Sequence, residues 1–209
     1  VELLYDNAML ALNFQIAHKF GLRYIMAGTN HASEGIKMPP GWNWINHDKK
    51  NIFGIAKKHG CGVINSYPSI GTISYIYYRY LCRIKWISTL DYMEYDKVSA
   101  MNSLEKDLGY KPYPYKHYES IFTRFYQAYI LPEKFKIDKR RLHLSNLIAS
   151  GQLDRNTALK NLREMAYPDE NSRDNDIDYF LKKMNWSRDD LNDYISRPEV
   201  SHLVYPSEK

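Results

Sequence analysis

Apolar positions recur at helical spacing over residues 3–20, where Leu3, Leu10, Phe14 and Ala17 share one stripe. Met9, Leu12 and Ile16 widen that stripe, so this helix is expected to be largely buried, with Gly21 as its C-terminal stop. The short apolar run Tyr24-Ile25-Met26-Ala27 then reads as a strand, and helix followed by strand points to part of an α/β unit. Pro39-Pro40-Gly41 is a turn that no helix continues through, with Trp42 and Trp44 beside it. Asp48 is an N-cap candidate for a helix over 49–59 that Gly60 ends, and Gly62 to Ser66 is a candidate second strand. Pro68 to Tyr92 is apolar and rich in tyrosine; most of it reads as helix, although its β-branched and aromatic content also suits strands. From Asp96 the pattern predicts helices over 96–107, 118–130, 138–149, 155–164, 174–184 and 188–195. Asp154 with Thr157, and Ser187 with Asp190, are helix-start signals. The expected organisation is an α/β piece over 1–95 and a mainly helical domain over 96–209.

Composition narrows the function classes. The 209 residues are 44% hydrophobic and 25% charged, as in ordinary globular proteins, and no apolar run approaches the roughly 18 residues that span a bilayer. Cys61 and Cys82 are far apart, which argues against a disulfide framework or a self-contained zinc site and fits a reducing cytoplasm. The net charge of +5 and 19 tyrosines would suit stacking and phosphate contacts with single-stranded nucleic acid. The positive charges are dispersed among 24 acidic residues, however, which favours a solvated surface over a nucleic-acid interface. The chain starts at Val1 inside a helical pattern, so it is expected to be a fragment of a longer protein.

Three clusters carry candidate chemistry. Gly28-Thr29-Asn30-His31-Ala32-Ser33-Glu34 follows the first strand, and open α/β sheets bind ligands outside the carboxyl ends of their strands. Gly28 allows close backbone approach, while Thr29, Asn30 and Ser33 offer neutral hydrogen-bonding groups; an ordinary turn has the same composition. Lys116-His117-Tyr118-Glu119 stands at the start of a predicted helix, where cations make sense if an anion binds, and Arg124 lies in that helix. Lys139, Arg140 and Arg141 open the helix over 138–149 and suit phosphate or carboxylate, or else form a solvated basic end. His18, His47, His59 and His202 have no ligand-like partners in sequence, and no metal site is expected.

The strings GTNHASEGIKMPPGW at 28–42 and YKHYESIFTRFYQAYILPEKFKIDKRRLHLSNLIASGQLDR at 115–155 closely resemble the N-acetyl sugar amidotransferases of bacterial O-antigen and related surface-sugar (LPS) biosynthesis. That family belongs to the PP-loop ATP pyrophosphatases, so the resemblance implies a truncated adenine-nucleotide α-hydrolase-like sheet followed by the helical domain. It implies a cytoplasmic enzyme that uses ATP and Mg2+ to adenylate a sugar N-acetyl group. Ammonia from a separate glutaminase subunit then leaves an acetamidino group on the nucleotide sugar. Gly28, Thr29 and Asn30 match nucleotide-binding positions; His31, Glu34, Lys116, His117 and Glu119 become catalytic candidates. Arg124, Lys139, Arg140 and Arg141 become candidates for phosphate or substrate binding. The family's Ser-Gly-Gly-x-Asp-Ser loop and cysteine-rich segment are not in this sequence and are expected upstream of Val1, so the fragment alone should be inactive. Another PP-loop activity, such as tRNA thiolation, and a non-catalytic helical module that docks a glutaminase are the alternatives.

Overall fold

The computed structural model describes residues 2–60, 64–113 and 120–209. The fold is mainly helical with one two-stranded parallel sheet, and its contacts separate into two units. Unit 1 comprises Val1–Thr29, Pro39–Tyr92 and Val200–Lys209; unit 2 comprises Asn30–Met38 and Met93–Glu199.

In unit 1, helix α1 (Glu2–Lys19) ends where Gly21 takes a φ of +65°, a conformation that suits a residue without Cβ. Strand β1 (Tyr24–Ala27) pairs in parallel with β2 (Lys85–Ser88), Ile25 opposite Trp86. The core gathers Ala11, Phe14 and Ala17 of α1 with Ile70 and Ile84, and Phe14 stacks on Tyr78 with 5.8 Å between rings. Asn7, fully buried, donates to the carbonyls of Asn46 (2.7 Å) and Ile70 (2.8 Å), which fixes α1 to two loops. Helix α3 (Lys49–His59) follows Asp48, whose side chain caps it as expected. Helix α4 (Thr72–Ile76) continues into a wide π turn over Tyr77–Leu81.

Helical turns over 72–81 and 89–92 make most of 68–92 helix as expected, and the strand that its composition also suited is confined to Lys85–Ser88. A four-residue strand inside an aromatic run has no periodicity of its own and is specified by its partner 61 positions earlier. The candidate strand at 62–66 is not one where it is described, because Ile64–Ser66 lead into a turn; Gly62 lies outside the described residues. The expectation that α1 is largely buried is also corrected. Met9, Leu12 and Ile16 are 47%, 45% and 50% exposed, so only the narrower stripe reaches the core.

In unit 2, α2 (His31–Glu34) is one turn, and α5 (Lys97–Leu108) starts at Asp96 and stops at Gly109 in the left-handed region. The predicted 118–130 helix starts at the Ser120 cap and runs on: α6 (Ile121–Phe125), a π turn over Tyr126–Ile130, then α7 (Leu131–Phe135). The wide turn precedes Pro132, which has no N–H to give the helix ladder. Next come α8 (Arg140–Ala149), α9 (Arg155–Arg163), α10 (Glu170–Met184) and α11 (Arg188–Ser196). Asp169 caps α10 through Ser172 N (2.7 Å), one turn before the predicted start at 174. Phe125, Ile130, Ile177, Leu181 and Leu191 form the core, with the Phe125 and Phe180 rings 4.6 Å apart.

Candidate functional site

At the carboxyl ends of the two strands of unit 1, Gly28 has open space where a Cβ would stand. Thr29 Oγ1 and Ser88 Oγ share a hydrogen bond of 2.7 Å, and Thr89 Oγ1 donates to the Ala27 carbonyl at 3.2 Å. This hydroxyl-bearing rim is neutral, so it can bind hydroxyl or phosphoryl oxygens only by hydrogen bonds.

Unit 2 contains an open groove of about 390 Å³ with two walls. One is the segment from Glu34 to Met38; the other is the start of α8, with Lys139, Leu142, His143 and Asn146. Asn30 builds the first wall: it is 7% exposed, and its Oδ1 accepts from Ser33 N (2.8 Å) and Ser33 Oγ (3.0 Å), so it caps α2. Gly35 closes that turn with its N–H on the His31 carbonyl, and a Cβ there would stand 2.5 Å from that oxygen. The walls are joined by Asn146, whose Oδ1 accepts from Ile36 N at 2.7 Å while its Nδ2 donates to Leu142 O at 2.9 Å. A buried amide that meets donor and acceptor together fixes one registration of the two segments.

The groove thus brings Glu34 and Lys139 to one lining, beside His143 and Lys37, so it carries both signs of charge. Tyr95 belongs to the same electrostatic neighbourhood. Burial pushes its phenol above the ordinary value, and the negative charges of Glu34 and Asp96 push it further. Gln152 holds that segment, accepting from Lys97 N (3.0 Å) and donating to the Tyr95 carbonyl (3.2 Å).

Two of the three arginine candidates face acceptors within the fold. Arg124 makes a two-point ion pair with Asp176 (Nε 2.6 Å, Nη2 2.5 Å), and the Tyr167 hydroxyl donates to the same carboxylate at 3.2 Å. Arg140 forks onto Asp138 (Nη2 2.8 Å), and its Nη1 reaches the carbonyls of Asn161 (3.2 Å) and Glu164 (2.9 Å) at the end of α9. A cation is at home there, against the negative end of a helix. Arg141 is exposed. Lys116, His117 and Glu119 lie outside the described residues. Gly28 and Thr29 belong to unit 1, whereas Asn30, His31 and Glu34 belong to unit 2. No group of three or more His, Cys, Asp or Glu able to hold a metal occurs among the described residues, nor does a helix long and apolar enough to cross a membrane.

Sequence reasoning passed over Asn146, His143 and Tyr95. An amide one turn from Leu142, on the helix stripe that also carries Lys139 and His143, was the available signal for Asn146. Tyr95 had none, since it is one of many tyrosines.

Residues 119–209 match the family model of the C-terminal domain of WbpG-like LPS biosynthesis proteins. The match covers somewhat less than half of the chain and bears out, for that C-terminal portion, the resemblance carried by residues 115–155. No curated protein and no solved structure matches the chain.

Proposed function

We propose that this chain, whose C-terminal portion belongs with the WbpG-like LPS biosynthesis proteins, is part of an ATP-dependent amidotransferase that converts a sugar N-acetyl group into an acetamidino group. One observation carries the reading. The two stretches with the family resemblance, 28–42 and 115–155, supply the two walls of one groove, where Glu34 and Lys139 line the same space.

The chemistry requires what such a groove offers. The amide oxygen attacks the α-phosphorus of ATP and pyrophosphate leaves with the electron pair of the broken P–O bond. Ammonia adds to the activated carbon, a proton is lost, and the C–O bond breaks with AMP as leaving group. An amide oxygen is otherwise a poor leaving group. Lys139 and Arg141, with Lys116 beyond the described residues, would hold phosphoryl oxygens as charge moves onto them. Glu34, His31, His117 and Glu119 would orient the N-acetyl group and take the proton from the added ammonia. Asn30 shapes the turn that presents His31 and Glu34. Arg124 and Arg140 act in this reading by positioning the helices that carry the site, through Asp176 and through the end of α9. Mg2+ would travel with the phosphates and neutralise them, as it commonly does with few protein ligands. A separate glutaminase subunit would supply the ammonia, and a nucleotide sugar is the acceptor that these cations fit.

The experiment is pyrophosphate release from ATP by the full-length gene product, with and without a nucleotide N-acetyl sugar and ammonia. Release should need both. Glu34→Gln and Lys139→Ala should each lower the rate by at least about tenfold, the scale of one lost charge interaction in the transition state. Unchanged rates in both variants would sink the site assignment.

A further inference from the structure

Helix α1 is apolar on two opposite sides. Ala11, Phe14 and Ala17 face the core of unit 1, together with the buried Asn7. Roughly half a turn around the helix, Tyr5, Met9, Leu12 and Ile16 form a second stripe, each about half exposed or more. A helix that is apolar on both sides needs a partner on both. The core side of α1 packs over Ile25 of β1 and, through Phe14, beside Trp86 of β2, so the second stripe points away from the sheet. Any cover added to the sheet leaves this stripe outside.

The stripe has the spacing of a helix-pairing seam. Its residues are four, three and four positions apart, the alternation of coiled-coil a and d sites. The pattern is also its own mirror image: Tyr5 matches Ile16, and Met9 matches Leu12, about the point between Leu10 and Ala11. A two-fold interface needs a patch that complements itself, residue i meeting j while j meets i. An antiparallel pair of α1 helices does this, with Tyr5 of each copy against Ile16 of the other and Met9 against Leu12. Charge selects the same orientation. Antiparallel order brings Asp6, near the start of one helix, toward the basic last turn of the other, His18 and Lys19. Parallel order would set like charge against like. The flanking residues Ala8, Asn13 and Gln15 are uncharged and add no repulsion.

We propose that this stripe is a docking surface for a second copy of the chain, joined antiparallel through α1 about a two-fold axis level with Leu10 and Ala11. The 18 residues of α1 span about 27 Å. One helix pair of that length falls in the small class of interfaces, below roughly 1,200 Å² in total, so the dimer is a reversible one that forms with concentration. The inference is independent of the amidotransferase chemistry, because α1 carries none of the residues assigned to that site.

Sedimentation equilibrium of the 209-residue chain and of the full-length gene product tests this. Between about 1 and about 300 μM, the range of weak association, the mass of the 209-residue chain should rise from 24.7 kDa toward twice that value. Leu12→Glu places two carboxylates beside the axis of each dimer and should raise the dissociation constant at least about 100-fold. Leu12 lies on the surface of the single chain, so the unfolding midpoint of that variant should stay near the original. Oxidative cross-linking checks the register. A mixture of Met9→Cys and Leu12→Cys chains should give mixed dimers above the background of the native cysteines, while either variant alone gives few. The full-length protein should likewise dimerise, and Leu12→Glu should dissociate it. A 209-residue chain that stays monomeric throughout overturns the proposal, as does cross-linking of each variant with itself as readily as with the other. A monomeric full-length protein overturns it too, because another segment then covers the stripe. So does a dimer that Leu12→Glu leaves intact, since its interface lies elsewhere.

Discussion

Each unit buries a carboxylate, and they satisfy it in opposite ways. In unit 2, Asp176 is 4% exposed and is matched by one cation, Arg124, with the Tyr167 hydroxyl as a second donor. In unit 1, Asp48 is fully buried and accepts from neutral donors: Trp44 Nε1 (2.9 Å), Asn51 N (3.0 Å), Ser207 Oγ (2.6 Å) and Glu208 N (3.1 Å). An ion pair concentrates its stability in one partner, whereas a ring of neutral donors spreads it. Loss of a partner should therefore be severe in unit 2 and graded in unit 1.

The largest effect should come from Asp176→Ala, which takes from the Arg124 guanidinium, its side chain 21% exposed, the carboxylate of their two-point ion pair. A loss of about 3–5 kcal/mol is expected in urea denaturation. If it matched the cost of a single neutral hydrogen bond, the contrast between the units would fail. Asn146→Ala removes the acceptor of the Ile36 amide and should cost about 2 kcal/mol, with release of residues 36–38 from α8 seen as faster exchange of that amide. Ser207→Ala takes one donor of several from Asp48 and should cost about 1 kcal/mol by the same assay.

Unit 1 should also weaken on acidification in two stages. Burial holds the His202 imidazole below its ordinary value, with the charge of Asp48 only partly opposing this. A base with a depressed folded value contributes stability above its unfolded pKa of about 6.5 and loses it as the pH falls from there through the folded value. Burial pushes the Asp48 carboxyl up, but hydrogen bonds from Ser207, Asn51, Trp44 and Glu208 outweigh it and hold the group below its usual range. Its contribution is present above about pH 3.9 and disappears as the pH drops through the lower folded value. His202→Asn should remove the first stage and leave the second, read from unfolding midpoints between pH 7 and 3. The smallest effect belongs to Arg188→Ala, whose partner Asp178 is 65% exposed; a change beyond measurement error would mean surface charge matters more here than usual.

Helix starts were the most legible part of the fold. Asp48, Asp154 and the reciprocal pair Ser187–Asp190 cap the helices that their positions announced, since a cap is a local interaction within four residues. Strand β2 was not legible, because Lys85-Trp86-Ile87-Ser88 becomes a strand only through β1. The width of the α1 stripe misled for a related reason. Apolar spacing says which residues could be covered, not what covers them. In the site, the basic start of α8 was visible, but the split of its arginines was not. Arg140 faces the end of α9 and Arg141 is exposed, and that depends on where α9 ends. The amide of Asn146 was hidden by its ordinariness, as one polar residue beside Lys139 and His143 on the same stripe.

The division of the chain has a consequence for its synthesis. Unit 1 needs Val200–Lys209, whose Ser207 and Glu208 supply two of the donors on Asp48, while unit 2 is complete by Glu199. A ribosome makes those ten residues only after it has made all of unit 2. Until then Asp48 has only the donors of its own neighbourhood, Trp44 and Asn51. Unit 1 therefore receives its last donors only after unit 2 has been made, and a released chain that ends at Glu199 should contain unit 2 folded and unit 1 loosened.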